Sequence, residues 1–259
     1  MKIKMHGPYD HFPNHHPAKG QPYVDCYLDF ATMDEVKPDS IALLIEPRSL
    51  QGYVYDYIQE NYKKFKYIFT HDSKLLYRLP NAKLVNWGGV WTWSDEPKTK
   101  FCSMISSGKE YCELHKIRKQ LAFQLQDTID CFGTYNGGQM VDTHTSHAPY
   151  MFAVAMENYR DDYWFTEKIC NCFANKTIPI YYGAKNISDY FNKDGIIVAD
   201  NTDDISVAVE NIKANYEEEY NKRIVAVNDN YKRVEKFRSF EERFFSKYEK
   251  LLMECEKYD

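Results

Sequence analysis

Apolar residues in this chain gather in short continuous runs rather than long stripes. Ser40–Ile45 (SIALLI), Tyr67–Thr70 (YIFT), Phe101–Ile105 (FCSMI), Phe152–Met156 (FAVAM) and Thr177–Tyr181 (TIPIY) are the clearest. Unbroken apolar runs of this length fit strands buried on both faces, the condition of a parallel sheet covered by helices. Shorter strands are expected at Lys2–Met5, Tyr23–Phe30, Lys83–Asn86, Cys131 onward and Gly195–Ala199. Between them the pattern turns helical. Gly52–Phe65 reads as a helix, and Glu113–Asp127 carries Leu114, Ile117, Leu121 and Leu125 on one stripe. Thr166–Asn175 and Asp204–Tyr216 follow, and 139–150 reads as a polar connection. The stretch from Glu217 to Cys255 is charged and helical, in two pieces parted near Asn228–Asn230. Alternating strand and helix predicts an α/β protein built from βαβ units.

The polar positions divide this pattern into domains. Ser94–Lys100 is a polar stretch with Pro97 and four charges, which predicts a linker and a boundary near residue 95. The expectation is an N-terminal α/β domain over 1–95, a Rossmann-like domain over 96–225 and a charged C-terminal helix over 226–259, the two α/β domains facing a cleft.

Composition narrows the function. A formal net charge of −5 argues against a nucleic-acid binder, which needs an extended basic surface, yet leaves room for one basic pocket. No apolar run of the length that spans a bilayer occurs, and the start of the chain is polar rather than signal-like, so no membrane span is expected. Seven cysteines, an odd number, read as free thiols in a reducing compartment, hence a cytoplasmic protein. His6, His11, His15 and His16 lie among Pro8, Pro13 and Pro17, so no helix sets their rings on one face and no metal site is expected. Asp161–Asp162 and Asp203–Asp204 lack the surroundings of a metal-binding pair.

Ligands of open α/β sheets bind beyond the carboxyl ends of the strands, so polar residues just past each apolar run carry the chemistry. Glu46 follows the first strong run and His71–Asp72 the second. Glu157 and Asn158 follow FAVAM, and Glu167 and Lys168 start the next helix. Lys168 and Arg118, with a helix N-terminus, suit a diphosphate better than a monocarboxylate. Ser106-Ser107-Gly108-Lys109 can offer backbone N–H groups to phosphate, although the P-loop pattern is absent. Tyr163, Trp164 and Phe165 can cover a base or sugar ring. Gly183, after Tyr182, can let a ligand approach the backbone.

These residues carry a resemblance. Glu157-Asn158, then Tyr163-Trp164-Phe165-Thr166-Glu167-Lys168-Ile169, then Ile178-Pro179-Ile180-Tyr181-Tyr182-Gly183-Ala184 resemble the donor-site signature of the α-1,3/4-fucosyltransferases, glycosyltransferase family 10. Ser103–Ser107 with His115 and Arg118 looks like the family segment bringing an arginine to the diphosphate. Ile45–Arg48 and Phe69–Asp72 look like a short microbial and viral branch. Two departures stand out: Tyr159 where the family has Ser, and Trp164 where it has Tyr, which keeps a ring and loses a hydroxyl.

The resemblance implies a GT-B fold and an inverting, metal-independent transfer of L-fucose from GDP-fucose to a glycan hydroxyl, with an α-1,3-type linkage and no further cofactor. By position Arg118 and Lys168 would hold the diphosphate, and Asn158 and Glu167 would meet ribose or fucose, with Tyr163, Trp164, Tyr182 and Gly183 around them. Glu46 is the first choice of general base. Glu157 is the second, weakened by a neighbouring cationic pocket that would depress its pKa. His71 is the third. The partners implied are a nucleotide sugar and a glycan acceptor. Two other readings fit the same residues: a transferase using another sugar nucleotide, and a non-catalytic nucleotide- or glycan-binding module.

Overall fold

The structure, a computed structural model, describes residues 1–257. The chain forms two compact units: Met1–Trp87 with the C-terminal stretch from Ser239, and Gly88–Arg238. The division therefore falls at Trp87–Gly88 rather than near 95. Ser94–Lys100 is no free linker, since its backbone and side chains are tied into the second unit. Ser94 N–H donates to the Ala174 carbonyl, and Thr99 and Lys100 donate to Pro149.

The first unit holds a five-stranded, all-parallel sheet in sequential order: β1 (Ile3–His6), β2 (Val24–Leu28), β3 (Ile41–Leu43), β4 (Tyr67–Thr70) and β5 (Ala82–Leu84). Successive residues face opposite sides of a strand. Ala42, Leu44 and Ile68 thus pack with Val54, Tyr55 and Ile58 of α1 (Arg48–Asn61) and Leu75 of α2 (Ser73–Arg78). Val24, Cys26, Leu28, Ile41, Leu43 and Phe69 face the other way. A sequentially ordered sheet winds its crossovers onto one face only, because each is right-handed. The opposite face is covered from the far end of the chain. Phe244, Tyr248 and Leu252 of α9 (Phe240–Met253) pack on it, and Ser239 caps that helix by accepting from Glu242 N–H at 3.1 Å. The C-terminal helix is thus part of the first unit's core, not an appended charged helix.

The second unit has a sheet ordered β10-β9-β8-β6-β7, all parallel: β6 (Lys100–Ile105), β7 (Asp130–Phe132), β8 (Tyr150–Met156), β9 (Ile178–Tyr182) and β10 (Ile197–Val198). The chain leaves β6 toward β7, then returns to the other side of β6 to build β8, so helices cover both faces. α3 (Glu113–Leu125) and α6 (Thr202–Lys213) lie on one face, α5 (Glu167–Ala174) on the other. The stretch 139–150, expected to be a bare connection, contains a short helix, α4 (Thr143–His147), and the first residue of β8. After α6 come α7 (Tyr216–Lys222) and α8 (Ile224–Arg233). The helical region breaks at Arg223 and again at Arg238–Ser239, not at Asn228–Asn230, which lie inside α8. Buried Asn230 is a tie rather than a breaker: it accepts from Asn192 N–H at 2.7 Å and donates back to the Asn192 carbonyl at 2.9 Å. Both units are Rossmann-like, the repertoire of a GT-B-like chain. No helix among the described residues is long and apolar enough to cross a membrane.

Candidate active site

The strand order reverses between β6 and β8, and such a switch point is where an open parallel sheet leaves a crevice. A cavity of about 160 Å³ opens there, lined by Ser103, Ser107, Arg118, Met156, Glu167 and Lys168 among others. Arg118 arrives from α3 on one face of the sheet and Lys168 from α5 on the other. The structure thus brings to one cavity the two cations that the sequence leaves fifty residues apart.

Each cation is fixed by its surroundings. Arg118 is buried and donates through Nη1 to the Met156 carbonyl at 3.1 Å, the last carbonyl of β8. Its Nε–H has no partner among the described residues. Burial lowers its pKa, against the pull of Glu157 and Glu167; a guanidinium stays charged regardless. Thr166 caps α5, its hydroxyl accepting from Lys168 N–H. Lys168 Nζ reaches Glu167 Oε1 at 3.0 Å, Thr166 Oγ1 at 3.0 Å and Glu157 Oε2 at 3.4 Å. Burial alone would lower the lysine, but Glu167 and Glu157 hold it above its ordinary value. Burial likewise works to raise Glu167, and Lys168 outweighs it, so that carboxylate stays ionised.

Glu157 takes a different part from either expected one. It is fully buried and accepts from Thr166 N–H at 2.9 Å and from the Thr166 hydroxyl at 2.8 and 3.1 Å. Burial pushes its pKa up, and the attraction of Lys168 only offsets part of that. The expected depression is overturned because the desolvation of a fully buried carboxylate exceeds one ion pair's attraction. A carboxylate without exposure, holding a helix cap and a lysine, positions those groups and is not placed to accept a proton from a substrate.

Several predicted ligand contacts are also structural. Trp164 is buried, and its Nε1–H donates to Asn158 Oδ1 at 3.2 Å. The ring that lost the family hydroxyl therefore orients Asn158 instead of covering a ligand. Phe165 is fully buried among Tyr190, Phe191 and Phe237, leaving Tyr163, half-buried, as the accessible ring of that triplet. At Gly183 a Cβ would collide with the Tyr181 hydroxyl and come within 2.7 Å of Glu157 Cγ. Glycine is needed there because protein fills the space a side chain would take. Tyr182 supports the Arg160 guanidinium 4.9 Å from its ring centroid, and Arg160 pairs with Asp200 at 2.8 Å. In the 106–109 turn, the Ser106 and Gly108 N–H groups already donate to Phe132 O and Thr134 Oγ1, so the turn has fewer donors for phosphate than the sequence suggested.

At the strand ends of the first unit, Glu46 is half-buried. His71 is fully buried, bonded through Nε2 to the Tyr55 hydroxyl at 3.0 Å, and burial pushes it to about 3. A base must be reached by the proton it takes, so His71 is removed from that role. Asp72 caps α2 through Leu75 N–H at 2.8 Å and grips Arg48 with both oxygens, at 2.9 and 3.2 Å. Asp29, absent from the sequence reading, is buried and accepts from Ile45 and Glu46 N–H; burial pushes its carboxyl up to about 7. Among the described residues no group of three or more His, Cys, Asp or Glu side chains could hold a metal ion. Three of the four histidines near the N-terminus pair singly, His6 with Asp25, His15 with Glu241 and His16 with Asp10, while His11 packs against the Trp87 and Phe240 rings.

The family described as "Glycosyltransferase family 10 (fucosyltransferase) C-term" matches residues 95–255, more than half of the chain. The chain belongs to glycosyltransferase family 10. Among solved structures, an alpha1,3-fucosyltransferase with GDP is similar over 82% of this chain and 76% of its own, with TM-score 0.53 and 13% identity. TarM is similar over 90% of this chain and 54% of its own, with TM-score 0.59 and 13% identity. A sucrose-phosphate synthase from Thermosynechococcus elongatus covers 89% of this chain and 74% of its own, with TM-score 0.57 and 8% identity. At such identities these likenesses speak for the fold. No curated protein matches the chain.

In this family 10 chain the cavity also has walls that the motifs did not announce. His147 and Asn171 line it, and Asn171 Oδ1 accepts from Trp91 N–H at 2.8 Å, seating an exposed Trp91 at the rim. His115, one turn before Arg118, is buried and pushed to about 4 by burial and by the charges of Arg118, Lys168 and Lys109. It is neutral at pH 7, with Nδ1 unbonded among the described residues. No periodicity could reveal the walls made by Trp91, His147 and Asn171, because they come from three separate segments.

Proposed function

We propose that this chain is an inverting fucosyltransferase, moving L-fucose from GDP-fucose to a hydroxyl of a glycan acceptor with an α-1,3-type linkage. The observation that carries the reading is the pair Arg118 and Lys168 at one cavity beside the switch point, with the Arg118 Nε–H pointing to no protein acceptor among the described residues. Family membership and the Glu157–Lys168 signature support GDP-fucose as the donor.

In the step proposed, the acceptor oxygen forms a bond to the anomeric carbon as the bond from that carbon to the β-phosphate oxygen breaks. Glu46 accepts the hydroxyl proton. Arg118 and Lys168 take the negative charge that gathers on the departing GDP, fixed charges aimed at where charge develops. Asn158 and Glu167 contact ribose or fucose, with Tyr163 as the accessible ring of the 163–165 triplet. No metal enters this step, because two side-chain cations do the work a divalent ion would do. Seven free thiols favour a reducing compartment, and we assign the enzyme to the cytoplasm on that ground.

The test is a product-detected transfer assay on a glycan array, with GDP-fucose run beside GDP-mannose and UDP- and dTDP-sugars. Fucosylated product from GDP-fucose alone is expected. Transfer from another donor would replace the sugar in this reading. GDP binding without transfer or donor hydrolysis would make the chain a binding module.

A further inference from the structure

Three consecutive residues at the end of β3, Leu44 to Glu46, lie outside the strand yet are held by side chains from three other segments. The Asp29 carboxylate, just past β2, accepts from Ile45 N–H at 2.7 Å and from Glu46 N–H at 3.2 Å, both on Oδ1. Trp87 Nε1–H donates to the Leu44 carbonyl at 3.1 Å. Tyr55 of α1 donates its hydroxyl to the Glu46 carbonyl at 2.6 Å. The Tyr55 oxygen also lies 3.0 Å from Nε2 of His71, after β4, and the two side chains are hydrogen-bonded. Arg48 packs 4.7 Å from the centre of the Tyr55 ring and is itself gripped by Asp72.

Two features show that this arrangement is costly to build. Asp29 has φ of 47°, a left-handed conformation that disfavours a residue with a Cβ. Asp29, Tyr55, His71 and Asp72 are all buried polar groups that must be satisfied one by one. A strand end needing only to leave the sheet requires none of this. The result is one glutamate whose backbone N–H and carbonyl are both clamped while its side chain stays half-buried.

We propose that Asp29 and the Tyr55–His71 pair form a backbone clamp that positions Glu46 for proton transfer. None of the three touches substrate; they act through the peptide groups on either side of the glutamate. This rests on the reading of Glu46 as the base. It predicts a loss in the chemical step alone, because nucleotide affinity comes from the second unit's own residues. A misplacement of about 1 Å at a reacting group costs on the order of 100-fold.

The experiment uses the full chain with Tyr55→Phe, Asp29→Ala, Asp29→Asn and, as reference, Glu46→Gln. For each, kcat and KM for GDP-fucose, calorimetric GDP affinity and thermal melting are measured. Tyr55→Phe and Asp29→Ala should each lower kcat by about 10–100-fold with GDP affinity within about 2-fold. Asp29→Asn keeps an oxygen facing both N–H groups and should recover most of the rate. Tyr55→Phe removes one hydroxyl from an otherwise intact ring, so it decides the matter if Asp29→Ala does not fold. Wild-type kcat in a folded Tyr55→Phe variant, with Glu46→Gln inactive, would overturn the clamp and leave the base in place. Losses in kcat matched by equal losses in GDP affinity would also overturn it. Full activity in Glu46→Gln would instead overturn the base, and the clamp's purpose with it.

Discussion

The two units place chemistry at the same topological position, the carboxyl ends of parallel strands, and do so with opposite materials. In the second unit the strand ends gather charge: Arg118 and Lys168 with Glu157 and Glu167, half of them wholly or largely buried. In the first unit mostly neutral side chains, Tyr55, His71 and Trp87, with the Asp29 carboxylate, hold the backbone around a single glutamate. Sheet order accounts for part of the difference. The second sheet reverses direction between β6 and β8 and leaves a crevice able to admit a charged ligand. The first is ordered sequentially, has no such reversal, and offers side chains at a strand edge. On the function proposed above, the difference is a division of labour: one unit binds a leaving group, the other presents a base.

The sharpest way to break this comparison is Glu46→Gln. Transfer should fall by about 10²–10⁴ while calorimetric GDP affinity stays near wild type. A parallel loss of GDP affinity would mean that the two tasks are not separated.

Packing gives the next effect. Gly183→Ala drives a methyl into the Tyr181 hydroxyl and the Glu157 side chain, and overpacking of this kind costs roughly 1–3 kcal/mol. Denaturant unfolding should show that loss together with weakened GDP binding, because Glu157 supports Thr166 and Lys168. The matching change at Gly52, where a Cβ meets nothing within 4 Å, should cost nothing comparable.

Acid should separate the units more gently. His71, held near 3 in the folded first unit against 6.5 ordinarily, binds its proton only on unfolding, so its stabilisation is lost as pH falls below 6.5. Asp29, raised to about 7, has the opposite sign: the folded state keeps its proton, and that contribution grows as pH falls toward 3.8. The two offset each other across the same window, which leaves His11, also lowered by burial, as the first unit's one uncompensated histidine. The second unit has two depressed histidines, His115 and His147, both near 4. Against them stands Glu157, which is raised. At least one uncompensated proton remains, each worth ~1.4 kcal/mol per pH unit. Hydrogen exchange between pH 7 and 5 should therefore show protection falling more in β6, β8 and β9 than in β2, β3 and β4. A larger loss in β2, β3 and β4 than in β6, β8 and β9 would contradict the assignment of these protonation states.

Much of the second unit's site was legible in the sequence, because its residues sit in one contiguous signature whose spacing sets a strand end against a helix start. Arg118 and Lys168 were both read from position, and the resemblance then pointed to the same pair. What the signature could not convey was occupancy. Glu157, Trp164 and Gly183 look like ligand contacts along the chain, and in the fold their partners are Thr166, Asn158 and Tyr181. The first unit was legible only as strands. Asp29 follows a short strand without any motif, and its role depends on β2 lying beside β3, which no local pattern encodes. The return of α9 to cover the first sheet escaped for the same reason. Its amphipathic face is plain in FEERFFSKYEKLL, but the surface it meets lies about two hundred residues earlier.

The central claim is that Arg118 and Lys168 clasp one diphosphate, and a double-mutant cycle on nucleotide binding tests it most directly. GDP and guanosine would be titrated calorimetrically into wild type, Arg118→Ala, Lys168→Ala and the double variant. Each single change should weaken GDP by about 1.5–3 kcal/mol, leave guanosine unchanged and combine non-additively, since both cations hold the same group. Unchanged GDP affinity in the single variants, or equal losses for guanosine, would contradict it.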